Sequence, residues 1–153
     1  MILLCSACSY HIVGQDRGVI PNEAHTVSLH ATSANTQAMQ AKLLAYFQER
    51  SHGYQWQQED GQAQMQFLSF AEQFVPVAYD AAGIATSYRL SLSGSLELWH
   101  DEKEIWRSGS IAVYDDVFVL GGPASVDASR KAIREELERQ WMIEVWLRIA
   151  SGF

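Results

Sequence analysis

The stretch YRLSLSGSLELW, residues 88–99, decides how the rest of the chain is interpreted. Apolar and polar residues alternate along it without interruption. One face of the predicted strand is apolar and consists of Tyr88, Leu90, Leu92, Leu96 and Leu98, with Gly94 at the remaining inward position. A period of two is typical of a strand buried on one side in an antiparallel sheet. We therefore predict one long, half-buried strand whose other face is polar.

The segments on either side of this strand predict its partners. Residues 100–103 form a turn, and residues 105–120 return as an antiparallel strand, with Gly109 a candidate bulge. Residues 64–79 predict the preceding strand, although Met65 and Phe67 share one face while Phe70 and Phe74 fall on the other. A bulge near residues 68–69 would bring all four side chains to one face. Pro76 predicts an edge or an irregularity, because proline cannot donate a ladder hydrogen bond.

Two further segments have helical periodicity, and a short strand at residues 27–31 precedes them. Residues 36–52 predict an amphipathic helix with Asn35 as its N-cap and Gly53 at its end. A second helix runs from Ser125 or Asp127 to about Ala150, with Leu137 and Trp141 predicted to be buried. The order β-α-β-β-β-α predicts an α+β fold. We expect a two-layer sandwich with two helices packed on one face of a mostly antiparallel four-stranded sheet.

Composition limits the classes of function. The chain has 153 residues, of which 48% are hydrophobic and 19% charged, which fits one domain with a single core. Its formal net charge of -7 argues against nucleic acid as a partner and against nonspecific binding to anionic membranes. No apolar run reaches the roughly 18 residues of a membrane-spanning helix.

The two cysteines, Cys5 and Cys8, lie together in LLCSACSY, residues 3–10. A redox pair normally lies between a strand and a helix in a βαβ unit, and no such pattern precedes these residues. A zinc site would need two more ligands, whereas the five histidines are scattered along the chain. Two incidental thiols in a disordered tail are a third interpretation.

A fourth interpretation, which we favour, is a lipoprotein processing site. An apolar stretch, the small residues Ser6 and Ala7, and then Cys8 resemble a bacterial lipobox in which Cys8 becomes the acylated first residue. Residues 1–7 would be the remnant of a signal peptide and residues 8–153 a single tethered domain. The apolar run is shorter than the about 7–15 residues of an export signal, so we expect the reading frame to start upstream. Two or more acyl chains make a stable membrane anchor.

Catalytic signatures are absent from the sequence. Ser93-Gly94-Ser95 and Ser108-Gly109-Ser110 lie inside predicted strands rather than on the sharp strand-to-helix turn of a nucleophile elbow. Asp115 and Asp116 are adjacent, so on a strand they point to opposite faces. We therefore predict no catalytic residue, no metal and no cofactor. An enzyme or ligand carrier that uses a groove between the helices and the sheet is a minor alternative.

Three short motifs carry a resemblance to a known family. They are Cys8-Ser9-Tyr10-His11, then Tyr79-Asp80-Ala81-Ala82-Gly83 followed by residues 88–92, and the long last helix ending in Leu147-Arg148-Ile149. With the element order, they resemble the LptE (RlpB) family of outer-membrane lipoproteins that act in LPS assembly. The resemblance implies a protein anchored by lipid on the periplasmic side of the outer membrane. By the same resemblance, Ser9 after the acylated cysteine favours sorting to the outer membrane.

The resemblance further implies that the domain plugs and helps to assemble an LptD-type β-barrel, the LPS translocon, and binds LPS. A barrel lumen of this kind is polar. The candidate surface facing the barrel or LPS is the polar face of the long strand, namely Arg89, Ser91, Ser93, Ser95 and Glu97. The basic LPS contacts of the family have no matching residue in the turn at residues 80–83, and Arg130 and Lys131 do not align with them. The alternative function is a periplasmic lipoprotein that serves as adaptor or activator of another envelope machine.

Overall fold

The computed structural model describes residues 17–119 and 123–152, so Cys8 and the motif around it lie outside the described residues. Within these residues, eight elements follow one another. They are β1 (Thr26–His30), α1 (Ala34–Gln48), β2 (Gln55–Gln57), β3 (Ala63–Tyr79), β4 (Ala85–His100), β5 (Lys103–Arg107), β6 (Ile111–Phe118) and α2 (Pro123–Ser151).

The sheet is open and mixed, with six strands in the order β2-β1-β3-β4-β5 and β6 also paired with β4. β1 runs parallel to β2 and β3, whereas β4 is antiparallel to β3, β5 and β6. The predicted α+β class is confirmed, but the prediction of a four-stranded sheet is wrong. Sequence periodicity missed β2 because it is only three residues long and contains a single buried residue, Trp56.

β4 is the strand predicted from residues 88–99, and it is longer than predicted at 16 residues. It pairs with β3 along its whole length. Its other edge pairs with β5 through Glu97–His100 and with β6 through Ser87–Gly94. The predicted single strand at residues 105–120 is therefore two strands. Between them, the N–H of Ser108 donates to the carbonyl of Leu96 (2.9 Å) and its Oγ accepts from the N–H of Leu96 (3.0 Å). Gly109, the predicted bulge, has a φ of 66° there.

The phase change predicted in β3 is confirmed as a register shift between Phe67 and Ser69. Before the shift Phe67 stacks on Trp141 with ring centroids 6.1 Å apart, and after it Phe70 meets the same indole edge-on at 5.1 Å. The bulge thus brings both rings to one face. A second shift follows Pro76, as the missing N–H of proline predicts.

The first helix begins two residues earlier than predicted. Ser33, rather than Asn35, is the N-cap, since its Oγ accepts from the N–H of Thr36 (3.3 Å) and its own N–H donates to the Oγ1 of Thr36 (2.9 Å). The helix ends at Gln48, short of Gly53, which has a φ of 82° just before β2. α2 covers the predicted range and extends slightly beyond it at both ends.

Both helices pack on the same face of the sheet. One core cluster joins Met39, Leu43 and Phe47 of α1 to α2 and to the inward residues of the strands. Leu137 and Trp141 of α2 are fully buried, which confirms that prediction. A second, smaller cluster near the far end of the sheet contains Leu90, Leu92, Val117 and Leu137. The other face of the sheet carries no helix among the described residues, and we refer to it as the open face.

Candidate functional site: the open face of the sheet

The predicted contact residues Arg89, Ser91, Ser93, Ser95 and Glu97 alternate along β4 with its buried leucines. Because successive side chains of a strand point to opposite faces, all five belong to the open face. The structure therefore brings together the residues that were predicted as one surface. Its two ends differ in chemistry from its middle.

The middle of the open face consists of small, uncharged side chains. Ser93 pairs in register with Ala71 of β3 and Ala112 of β6, and Ser95 pairs with Ser69. The hydroxyls of Ser69 and Ser95 lie 2.9 Å apart and hydrogen-bond to each other. Small side chains on three neighbouring strands leave this strip open to close approach by another polypeptide surface.

Arg89 lies at the end of the open face nearest the β3–β4 turn. Its Nε and Nη2 donate to the two carboxylate oxygens of Asp116 at 2.8 and 3.0 Å, a two-pronged pair between neighbouring strands. The guanidinium also lies 4.7 Å from the ring centroid of Tyr114. These hydrogen bonds lower the pKa of Asp116 and raise the pKa of Arg89. The one cation among the predicted residues is therefore already neutralised within the fold.

Glu97 lies on the open face, but its side chain is only 5% exposed. Gln66 donates to one carboxylate oxygen and Arg107 donates to the other at 3.0 Å. Arg107 is also bound by Glu104, and this pair is the main reason that the pKa of Arg107 is raised. The surface presented at this end is thus Arg107, at 52% exposed, rather than Glu97. The sequence held a signal for this contact. If Trp106 points inward, alternation along the strand places Arg107 on the open face, where Glu97 also lies.

Sequence reasoning also missed a group of exposed apolar residues. Around and beyond Arg89, at the end of the sheet nearest the β3–β4 turn, several large apolar side chains lie 41–65% exposed. We call this group the tip patch, and it consists of Val75, Val77, Tyr79, Ile84, Tyr114 and Phe118. Exposed large apolar residues gathered at one end of a sheet commonly mark a binding surface. The alternation of Val75, Val77 and Tyr79 was the available sequence signal.

Basic residues converge beside β3 rather than in the turn at residues 80–83. Arg130 and Arg134 of α2 bind the two carboxylate oxygens of Glu72 at 2.5 and 2.9 Å. The guanidinium of Arg130 also lies 4.6 Å from the ring centroid of Phe74. Arg130, noted in the sequence without an assigned contact, therefore lies on the helix side of the β3 edge.

Neither a metal centre nor a membrane span is found in the part of the chain that the structure describes. Residues 17–119 and 123–152 hold no cluster of three or more His, Cys, Asp or Glu side chains able to bind a metal ion. No helix within those ranges is long and apolar enough to cross a membrane.

No family model and no curated protein sequence matches this chain. Solved structures do match it. An uncharacterized lipoprotein B from Nitrosomonas europaea has a TM-score of 0.69 at 10% identity, with 84% of each chain covered. A minor lipoprotein from Acinetobacter baumannii has a TM-score of 0.68 at 11% identity, covering 84% of this chain and 92% of the other. The rare lipoprotein B from Shewanella oneidensis has a TM-score of 0.54 at 11% identity, covering 83% of this chain and 92% of the other. The chain therefore has the fold that these bacterial lipoprotein structures share.

Proposed function

We propose that this chain is an outer-membrane lipoprotein, acylated at Cys8, that plugs the lumen of an LptD-type β-barrel and supports insertion of LPS at the cell surface. The observation that carries the proposal is the fold shared with the lipoprotein structures, one of which is a rare lipoprotein B. That name agrees with the resemblance of the sequence to RlpB. The proposed role is binding and assembly rather than catalysis.

The chemistry of the open face supports a plug. A barrel lumen is lined by polar side chains and water. The middle of the open face offers hydroxyls and small side chains, and both of its charged ends are paired within the fold. Such a surface can lie against a polar wall without leaving an unpaired charge buried.

The position of the proposed tether gives the plug an orientation. The N–H of Val19 donates to the carbonyl of Ile149 (2.9 Å), so the chain before β1 reaches the fold at the carboxyl end of α2. Just after β6, the N–H of Val119 donates to the carbonyl of Thr86 near the start of β4, and α2 begins soon afterwards at Pro123. The tip patch therefore lies near the amino end of α2. The 29 residues of α2 span roughly 40 Å. An anchored Cys8 would hold one end of the domain near the membrane and direct the tip patch away from it.

The charge of the chain favours contact with a polar barrel wall over direct contact with LPS. LPS is anionic, and the chain carries a formal net charge of -7. Arg89, the one cation among the predicted contact residues, is paired with Asp116 of the same chain. We therefore place the barrel ahead of LPS as the main partner.

The first test is affinity purification of the tagged full-length protein from its native outer membrane in mild detergent, with mass spectrometry of the partner and of the processed N-terminus. An acylated Cys8 peptide together with a large β-barrel protein is the expected result. An acylated Cys8 without a barrel would replace the plug by the adaptor function. Recovery of an unprocessed N-terminus would refute the lipoprotein assignment.

A further inference from the structure

The two edges of β3 differ in how far they are paired. One edge pairs with β4 from Ala63 to Tyr79, whereas the other pairs with β1 only through Ala63–Gln66. From Ser69 to Tyr79, no strand among the described residues pairs with this second edge. In an antiparallel strand, the N–H and C=O of every second residue point away from the paired neighbour. This edge therefore presents a row of backbone groups for a further strand.

Soluble proteins usually protect such an edge with charges, prolines or bulges. β6 shows this protection: it pairs only with β4 among the described residues and carries Asp115 and Asp116 within its eight residues. The β3 edge carries a single charged residue, Glu72, between residues 69 and 79. Its proline, Pro76, lies close to the end of the strand. The register shifts of β3, before Ser69 and after Pro76, flank residues 69–75. This stretch contains neither a bulge nor a proline, so Glu72 is its one protecting residue.

The charge beside the β3 edge is positive. Arg130 and Arg134 reach over Glu72 from α2 and are 41% and 49% exposed. Arg134 also approaches Glu138 at 3.5 Å, and Lys42 binds the same carboxylate. Three cations therefore meet two carboxylates, which leaves an excess of one positive charge in a chain whose net charge is -7.

The two sides of the β3 edge favour different side chains in a strand that binds there. On the helix side, exposed guanidinium groups favour carboxylates, with which they form charge-assisted hydrogen bonds. On the open side, Ala71 and Gln73 are exposed and Val75 is 47% exposed, so small or apolar side chains fit there. A lipid bilayer cannot satisfy the backbone groups of a sheet edge, whereas an extended polypeptide can.

We propose that the β3 edge from Ser69 to Val75 binds an extended segment of a partner protein as an additional strand. The segment alternates acidic residues, which face Arg130 and Arg134, with small or apolar residues on the open face. This inference goes beyond the plug function, because it assigns an edge and a type of segment and applies to whichever envelope protein supplies that segment.

The test is site-specific photocrosslinking of the full-length protein in its native membrane. Benzoylphenylalanine is introduced at position 73, on the open side of the β3 edge. The matched control carries it at position 112, which is equally on the open face but lies on the acidic β6 edge. We expect position 73 to crosslink to one short partner segment of alternating acidic and apolar residues, and position 112 to give little of that product.

Charge variants sharpen the test. Arg130→Glu with Arg134→Glu should lower the yield at position 73 at least about tenfold, since two charge-assisted contacts are reversed. Arg130→Gln with Arg134→Gln should lower it less and covers the case in which the charge reversal unfolds the protein. Arg139→Gln removes an exposed arginine that pairs within its own helix with Glu136, and it should leave the yield unchanged.

Three results would overturn the inference: a crosslink from position 73 to residues 9–16 of this same chain, equal yields at positions 73 and 112, or no crosslink at position 73. The plug proposal is judged separately. A barrel that copurifies without a crosslink at position 73 would leave the plug standing and remove the edge site. A crosslink from position 73 to a different protein, with no barrel copurified, would support the edge site and remove the plug proposal.

Discussion

The two ends of the β3–β4 ladder are both antiparallel but lie in very different surroundings. At the base, Met65 of β3 and Leu98 of β4 are opposite each other, and both are fully buried beneath the helices. At the tip, Val75 lies opposite Arg89, and Val77 and Tyr79 follow at 41% and 60% exposed. The same two strands are thus part of the core at one end and part of the surface at the other.

The difference indicates what holds each end in place. Removal of apolar area from water stabilises the base by about 25 cal/mol for each Å² buried. Between base and tip only the smaller cluster around Leu90 and Val117 continues the core, and beyond it the strands depend on their hydrogen bonds. The base therefore sets stability, and the tip and the free β3 edge can change sequence or bind a partner at little cost to the fold.

Leu98→Ala should have the largest effect. Leu98 is 0% exposed in the main core cluster, and its truncation leaves a cavity that the surrounding side chains can fill only in part. We expect the free energy of unfolding to fall by about 2–5 kcal/mol. Chemical denaturation of the purified domain would measure the loss.

Val77→Ala at the tip is the matched control for that loss. Val77 is 41% exposed, so its truncation should cost under about 0.5 kcal/mol. Equal losses at Leu98 and Val77 would mean that the tip is as well packed as the base, and the comparison between the two ends would fail.

Gly94→Ala tests the point where the ladder passes under Trp141. A Cβ at Gly94 would lie 2.8 Å from Cζ2 of Trp141 and 2.9 Å from the carbonyl oxygen of Ser69. The indole has little freedom to move away, because its Nε1 donates to the carbonyl of Ile111 at 3.1 Å. We expect overpacking to lower the free energy of unfolding by about 1–3 kcal/mol, measured by denaturation with tryptophan fluorescence.

Ser93→Ala is the control for Gly94→Ala, because it changes a neighbouring residue on the open face. It should be nearly neutral. Trp141→Phe combined with Gly94→Ala should show a coupling energy between the two sites. Strictly additive losses would indicate that the added methyl does not press on the indole.

The base of the ladder was predictable because its signals are periodic. Leu96 and Leu98 alternate with polar residues, and Leu137 and Trp141 recur at helical spacing. The bulge before Ser69 follows from the opposite phases of the pair Met65 and Phe67 and the pair Phe70 and Phe74. Each of these signals reports burial against a face, and the structure buries these residues fully, apart from Phe70 and Phe74, which are partly buried. The polar face of β4 was predictable for the same reason.

The features that were not predicted depend mainly on which residues of neighbouring strands lie opposite each other. The sequence of a single strand does not encode this register. Burial of Glu97 follows from the positions of Gln66 and Arg107 on neighbouring strands. The parallel pairing of β1 with β3 is a long-range contact, and it alone determines where the free edge of β3 begins. The predicted start of the first helix, residue 36, was two residues too late. Reciprocal hydrogen bonds between Ser33 and Thr36 make Ser33 the N-cap in place of Asn35.

Ile84→Ser addresses the tip without touching the core. Ile84 is 65% exposed in the β3–β4 turn region, where its replacement removes apolar surface that water already contacts. We expect the free energy of unfolding to change by no more than about 0.5 kcal/mol. The thermal unfolding midpoint of the purified protein would measure this. A loss above about 1 kcal/mol would show that the exposed tip contributes to stability after all.

The smallest effect is expected from the charged pair at the tip. Hydrogen bonds from Arg89 lower the pKa of Asp116, so the folded state holds this carboxylate in its ionised form more strongly than the unfolded chain does. A group with a lowered folded pKa stabilises the fold above its unfolded pKa, and that contribution disappears as the pH falls through the folded pKa. Arg89→Gln should therefore raise the pKa of Asp116 towards its ordinary value, as measured by NMR titration of the carboxyl carbon.

Arg139→Gln separates this local effect from a general change in charge. Hydrogen bonds from Arg139 and Gln140 lower the pKa of Glu136 to about 2, so this variant should raise the pKa of Glu136 and leave that of Asp116 unchanged. Because both pairs are exposed, either change should alter stability less than the core variants do. If the pKa of Asp116 did not respond to Arg89→Gln, the pair would not be formed in solution. Arg89 would then be an unpaired cation at the tip, and the case for direct contact with anionic LPS would become stronger.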